Sequence, residues 1–186
     1  MCLSSWRKKC SVANRYNVTS ESYDEQYAQE QVAKYRAVQE VLNCSCDDVV
    51  LDVGCGSGLF FSCVADSVRF VVGVDISRSL LLKAKVRVGS FCNVHVVQAD
   101  ADFLPFKDAV FDVVFSFTML QNMPVPKRTV VEFKRQIRVG GKLVVTGLKK
   151  VFGLPFFLDL FEDNGLRVFG FIDDSDLKCY IVMVTI

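Results

Sequence analysis

Apolar positions change their period several times along the chain, and each change marks an element. Residues 1–20 mix charge, Asn and Ser without periodicity and read as a flexible N-terminal tail. From Ser22, Tyr27, Gln31, Tyr35, Val38 and Leu42 recur at spacings of three and four, which predicts an N-terminal lid helix over 22–42, opened by a Ser22–Glu25 capping box. Val49-Val50-Leu51-Asp52-Val53 is a short apolar run that ends in glycines, the pattern of a buried parallel strand. A helix over 58–66, a strand over 70–74, a helix capped by Ser77 and reaching about Val88, and a strand over 94–98 follow. Beyond Pro105 the pattern gives a fourth strand over 111–117. Pro126 then opens a helix through Val130, Phe133 and Ile137 that closes at Gly140-Gly141. A fifth strand over 143–146, a helix from Pro155 to Asn164-Gly165, and two strands over 166–172 and 177–186 around Asp173-Asp174-Ser175 complete the chain.

Strands alternating with helices imply a doubly wound α/β domain over 21–186, its sheet mostly parallel and its last strand pair antiparallel. Ligands of such sheets bind outside the carboxyl ends of the strands, which directs attention to the residues just after strands one to four.

Composition narrows the classes. Of the 186 residues, 51% are hydrophobic and 23% charged, so a core forms without disulfide or metal staples. Twenty-two basic against 21 acidic residues leave a net charge of +1 and no global attraction to nucleic acid. The longest apolar stretch, 60–76, contains Asp66, Arg69 and Asp75, which a bilayer span avoids. No signal-peptide pattern follows Arg7, Lys8 and Lys9, so the expected location is the cytoplasm. Eight scattered cysteines read as reduced thiols. With Cys44 and Cys46 the only close pair and His95 the only histidine, no metal site is expected.

The first strand runs into Gly54-Cys55-Gly56-Ser57-Gly58, a G-x-G-x-G turn that brings backbone amides close to a ligand. A dinucleotide fingerprint would need glycine where Leu59 stands, so a nicotinamide cofactor is not supported. Asp75 ends the second strand, placed either to accept from both hydroxyls of a ribose or to cap the following helix. Cys55 lacks a neighbouring histidine and is not read as a nucleophile. His95 reads as structural.

Together with Asp100-Ala101 before Leu104-Pro105-Phe106, and with Phe111-Asp112-Val113-Val114, these residues resemble the class I S-adenosylmethionine-dependent methyltransferases, specifically the methyltransferase type 11 group. The resemblance implies the sheet order 3-2-1-4-5-7-6 and S-adenosylmethionine as cofactor. It further implies that the Gly54, Cys55, Gly56 and Gly58 turn, supported by Asp52, wraps the methionine part, and that Asp75 holds the ribose. Ile76 would pack on adenine, Asp100 would accept from its amino group, and Ala101 would offer a backbone amide. Ser116 and Phe117 would border the sulfonium. Tyr23 and Tyr27 are candidates to close the site by presenting aromatic faces to the cation; for Tyr27, ordinary packing on the helix stripe is an equal alternative.

The acceptor is less legible. Ser116-Phe117-Thr118-Met119-Leu120-Gln121-Asn122 lacks the Asn/Asp-Pro-Pro-aromatic signature of enzymes that methylate planar amino groups. Methyl transfer itself needs no dedicated base, and no catalytic side chain is assigned. A small-molecule acceptor is the first reading. An RNA or translation-factor acceptor is the second, with Lys149 and Lys150 available to draw an anion and a partner protein possible. A noncatalytic cofactor-binding module that recruits a partner along a third-strand edge (Val94, Val96, Val97) is the third.

Overall fold

A computed structural model describes residues 3–186; Met1 and Cys2 lie outside the described residues. The helices are α1 (Leu3–Val18), α2 (Tyr23–Gln39), α3 (Phe61–Val64), α4 (Arg78–Val88), α5 (Pro126–Gln136) and α6 (Leu154–Glu162). The strands are β1 (Val49–Val53), β2 (Phe70–Asp75), β3 (Val94–Gln98), β4 (Phe111–Ser116), β5 (Ile137–Leu148), β6 (Arg167–Ile172) and β7 (Cys179–Thr185). They form one seven-stranded sheet in the order β3-β2-β1-β4-β5-β7-β6, as expected. The β1–β2, β1–β4, β2–β3 and β4–β5 pairs are parallel, and β7 runs antiparallel to both β5 and β6.

The central strands are apolar at nearly every position because both sheet faces are covered. Val50, Val113, Phe115 and Val144 point to one face, where Tyr35, Val38, Phe60, Phe61 and Leu81 pack; Leu51, Val53, Val114, Leu143 and Val145 point to the other, against Phe133, Phe157 and Phe161. Asp112, a polar interruption in β4, ties two strands at their start: its Oδ2 accepts from Val49 N at 2.8 Å.

Four expectations are corrected. Residues 3–18 are not a flexible tail but a helix docked on α4 and on the ends of β3 and β4. Ser22 stands at the N-cap of α2 without a side-chain cap bond; its Oγ accepts from Gln26 Nε2 at 3.0 Å, so no capping box closes. Over 58–66 the only α-helix is the single turn α3, followed by a 3-10 turn at Ala65–Ser67, because left-handed Gly58 (φ +78) delays helix entry. Finally, α5 stops at Gln136 and Gly140-Gly141 lie inside β5. There the β4–β5 register shifts between Phe111 and Val113, and Gly140 takes φ +77.

Candidate active site

The carboxyl ends of β1, β2, β3 and β4 open into one cleft, roofed by α1 and the start of α2, with an empty volume of about 660 Å³ counting its mouth. At its floor, Gly54, Gly56 and Gly58 take φ values of +83, +56 and +78, a left-handed series that side-chain-bearing residues resist. Gly54 N and Cys55 N donate to Val74 O at 2.7 and 3.0 Å, which fastens the turn to the neighbouring strand. A Cβ on Gly54 would lie 2.7 Å from Met119 Cγ, and one on Gly56 would lie 3.1 Å from Tyr23 Oη. The turn therefore has residues laid directly against it from the segment after β4 and from α2.

Asp75 ties the glycine turn to the start of the helix that follows it. Its Oδ1 accepts from Ser77 N at 2.7 Å and its Oδ2 from Gly56 N at 2.9 Å, while Ser77 Oγ caps α4 by accepting from Leu80 N at 3.3 Å. The carboxylate thus joins the glycine turn to the α4 N-terminus and still borders the cleft. Burial pushes its pKa up, opposed by the hydrogen bonds from Ser77, Gly56 and Ile76. Asp52 is buried at the end of β1 and does not line the cleft; burial first, then the charge of Asp75, push its pKa up to about 8. Burial raises the Cys55 thiol as well, reinforced by the same two carboxylates, so it stays protonated and inert.

At the β3 end, Ala99, Asp100 and Ala101 line the cleft. Asp100 meets Lys9 of α1, whose Nζ lies 2.7 Å from both carboxylate oxygens and 2.5 Å from Asp102 Oδ2. Asp102 Oδ1 in turn accepts from Thr129 Oγ1 at 2.6 Å.

The opposite wall is apolar, with Phe117, Met119 and Met123 from the β4 end facing Tyr16 and Tyr23. Thr118 takes φ +56, uncommon for a β-branched residue, and is held there on three sides. Its N donates to Thr146 Oγ1 at 2.7 Å, and its Oγ1 accepts from Lys34 Nζ at 2.7 Å and from Gln31 Nε2 at 3.2 Å. Lys34 is fully buried and also pairs with Glu30 at 2.8 Å.

Of the anticipated residues, Gly54, Asp75, Ile76, Asp100, Ala101 and Phe117 line the cleft. Asp52, Cys55, Gly56 and Gly58 lie around or beneath the turn. Ser116 does not line the cleft; it is fully buried, its Oγ donating to Val53 O at 3.0 Å. Tyr27 is exposed and does not line it either, but its ring lies tilted against Tyr23, which does, with centroids 4.9 Å apart. Lys149 is not a free anion receptor: Nζ contacts Asp173 Oδ1 at 2.7 Å and Asp174 O at 2.6 Å. Val94 is core, while Val96 and Val97 are half-buried on the edge strand.

Lys9, Val12, Tyr16 and Asp102 were not anticipated. The inward stripe of α1 comprises Ser5, Lys9, Cys10, Val12, Ala13, Tyr16 and Asn17, a mixture of polar and small or aromatic residues with few aliphatic ones; a hydrophobicity pattern misses such a helix.

The methyltransferase-domain family model matches residues 51–145, β1 through most of β5. The chain belongs to this family, the class I S-adenosylmethionine-dependent methyltransferases. It is 33% identical over 144 residues to the malonyl-[acyl-carrier protein] O-methyltransferase of Marinomonas sp., covering 76% of this chain and 53% of that protein. It is 32% identical over 118 residues to the tRNA U34 carboxymethyltransferase of Pseudoalteromonas atlantica, covering 62% of this chain and 36% of that protein. The chain thus spans about half or less of the length of these relatives. A chain from the complex containing the Haloferax volcanii Trm112 methyltransferase activator superposes with a TM-score of 0.83 at 17% identity, over 94% of this chain and 96% of the other; this shows a common fold. Among the described residues, no helix is long and apolar enough to cross a membrane.

Proposed function

We propose that this chain is a cytoplasmic methyltransferase acting on a small, largely apolar acceptor. The observation that carries this reading is the two-ended cleft: carboxylates Asp75 and Asp100 stand at one end, and Tyr16, Tyr23, Phe117, Met119 and Met123 form an apolar wall at the other. Those groups fit the cofactor. A ribose and an amino-substituted purine present donors that need acceptors, and at Gly54 and Gly56 a Cβ would run into Met119 and Tyr23, two side chains that wall the cleft. When bound, S-adenosylmethionine supplies an electrophilic methyl group on a sulfonium.

In this reading Asp75 accepts from the ribose hydroxyls, Ile76 packs on the purine, and Asp100 accepts from its amino group. Tyr23 and Phe117 present aromatic faces toward the sulfonium end. Thr118, fixed in position by Lys34, Gln31 and Thr146, borders the acceptor. Alignment and exclusion of water by the tyrosine roof supply the acceleration, with no base required. The tie between Lys149 and Asp173 favours a small molecule over RNA, since that ammonium is already engaged.

A second reading keeps the same chemistry but adds a protein activator. It rests on the neighbour from the Trm112 complex and on β3, which pairs with β2 alone and leaves its other edge open. A larger acceptor belongs with this reading.

Labelled cofactor given to a cell extract with the purified chain, followed by fractionation into metabolites, RNA and protein, tests both. Label in an apolar metabolite fraction, lost with Asp75→Ala, supports the first. Label in RNA or protein overturns the small-molecule acceptor. Calorimetry showing no cofactor binding at millimolar concentration overturns the methyltransferase reading altogether.

A further inference from the structure

The ion pair between α1 and the β3 end lies where the adenine amino group is expected to bind, and this inference rests on the cofactor site proposed above. Lys9 is 3% exposed, although most of its helix faces solvent. Its ammonium has three N–H donors and makes three contacts: two with Asp100 and one with Asp102. A carboxylate offers about four lone-pair sites. On Asp100, Lys9 takes one on each oxygen, and Asp102 N, donating at 3.0 Å to Oδ1, takes another. One acceptor position is left, on Oδ2, and the Asp100 side chain keeps 13% of its surface open.

Besides Val12 and the edge-on contact of Tyr16 with Tyr23 at 5.9 Å, the remaining contacts of α1 with the cleft rim are polar. Asn17 Oδ1 accepts from Ser77 Oγ at 2.8 Å and Ser79 N at 3.1 Å. Lys8 Nζ donates to Met123 O at 3.2 Å, and Arg15 donates to Asn122 Oδ1 at 3.1 Å. Such a helix is held by a few directional bonds rather than by a large apolar face, so it can detach as a unit. Lys9 is the only one of these contacts that is both charged on each side and enclosed.

We propose that Lys9 is a positioning residue of the cofactor site: it turns Asp100 so that one acceptor faces the purine, and it latches α1 across that end of the cleft. Cofactor and product then exchange only when the Lys9 pair parts and α1 lifts.

Two measurements on the 186-residue chain test this. Amide hydrogen exchange of α1 in cofactor-free protein reads the latch directly. Stopped-flow release of S-adenosylhomocysteine, followed by the fluorescence of Trp6, reads its coupling to the site; Trp6 is the single tryptophan and lies on α1. Because Lys9→Met leaves two neighbouring carboxylates without their cation, the decisive variant is Lys9→Met with Asp102→Asn, which leaves one. We expect α1 exchange and product release each to quicken by about tenfold or more, the scale of one charged hydrogen bond. Lys9→Arg should restore most of both. Unchanged α1 exchange and unchanged release in the double variant would overturn the latch. If the wild-type chain binds no S-adenosylhomocysteine, the methyltransferase reading fails, while the exchange arm still decides whether Lys9 holds α1.

Discussion

Gly54 and Gly140 share nearly the same left-handed backbone, φ +83 and +77, but differ in what surrounds them. A Cβ at Gly140 meets nothing within 4 Å, whereas one at Gly54 meets the Met119 side chain at 2.7 Å. Gly140→Ala should therefore lose only the conformational term, about 1–2 kcal/mol. Gly54→Ala should lose more and also displace the cleft floor. Denaturant midpoints and cofactor titration of the two variants check this; equal losses would show that the Met119 contact relaxes freely. Asp52 supplies a second residue-level expectation. Its carboxyl is held near 8 in the fold by burial and by Asp75, against an ordinary value of 3.8, so the folded chain keeps a proton that the unfolded chain releases. The associated stability is complete below the unfolded value and is lost as pH rises through about 8. Asp52→Asn should flatten the fall in urea midpoint between pH 4 and 9, with a residual slope from Asp75, whose pKa is also raised. A slope identical to wild type would remove Asp52 as its source.

At the scale of elements, legibility followed the source of each element's stability. The parallel strands are apolar because both their faces are covered, and that pattern is visible in Val49–Val53 and Phe111–Ser116 before any coordinates. The strand-end residues Asp75 and Asp100 followed from the strands, since a sheet of this kind delivers its chemistry at those ends. Helix α1 is illegible for the converse reason: Lys9 and Asn17 on its inward stripe are held by ion pairs and side-chain hydrogen bonds, which leave no periodic trace. At 58–66 the apolar, helix-compatible Phe60, Phe61 and Val64 predict a longer helix than the single turn that forms. The left-handed glycines that hold the cleft floor use up the residues the first helical turn would need. Ser116 was drawn toward the cleft by its place at the end of β4, yet the bond from its Oγ to Val53 O turns it into the sheet.

For the whole molecule, the two edges of the sheet differ. β3 lies beside the Asp100 end of the cleft, and β6 lies beyond the antiparallel β7. An activator that extends the sheet at β3 would be felt at Asp100 and α1. Hydrogen exchange with and without a Trm112-type activator should then show protection gained at 94–98 together with α1. Protection elsewhere, or none, removes the edge as the contact.

The reversed direction of β7 carries a practical consequence. Thr185 pairs with Lys142, which itself pairs with Val113 near the start of β4, so Ile186 lies toward the end of the sheet away from the cleft. Leu3, in contrast, begins the helix that roofs the ligand mouth. A purification handle or reporter fused behind Ile186 starts at the end of the sheet away from ligand traffic, whereas Lys9, Val12 and Tyr16 of α1 line the mouth itself.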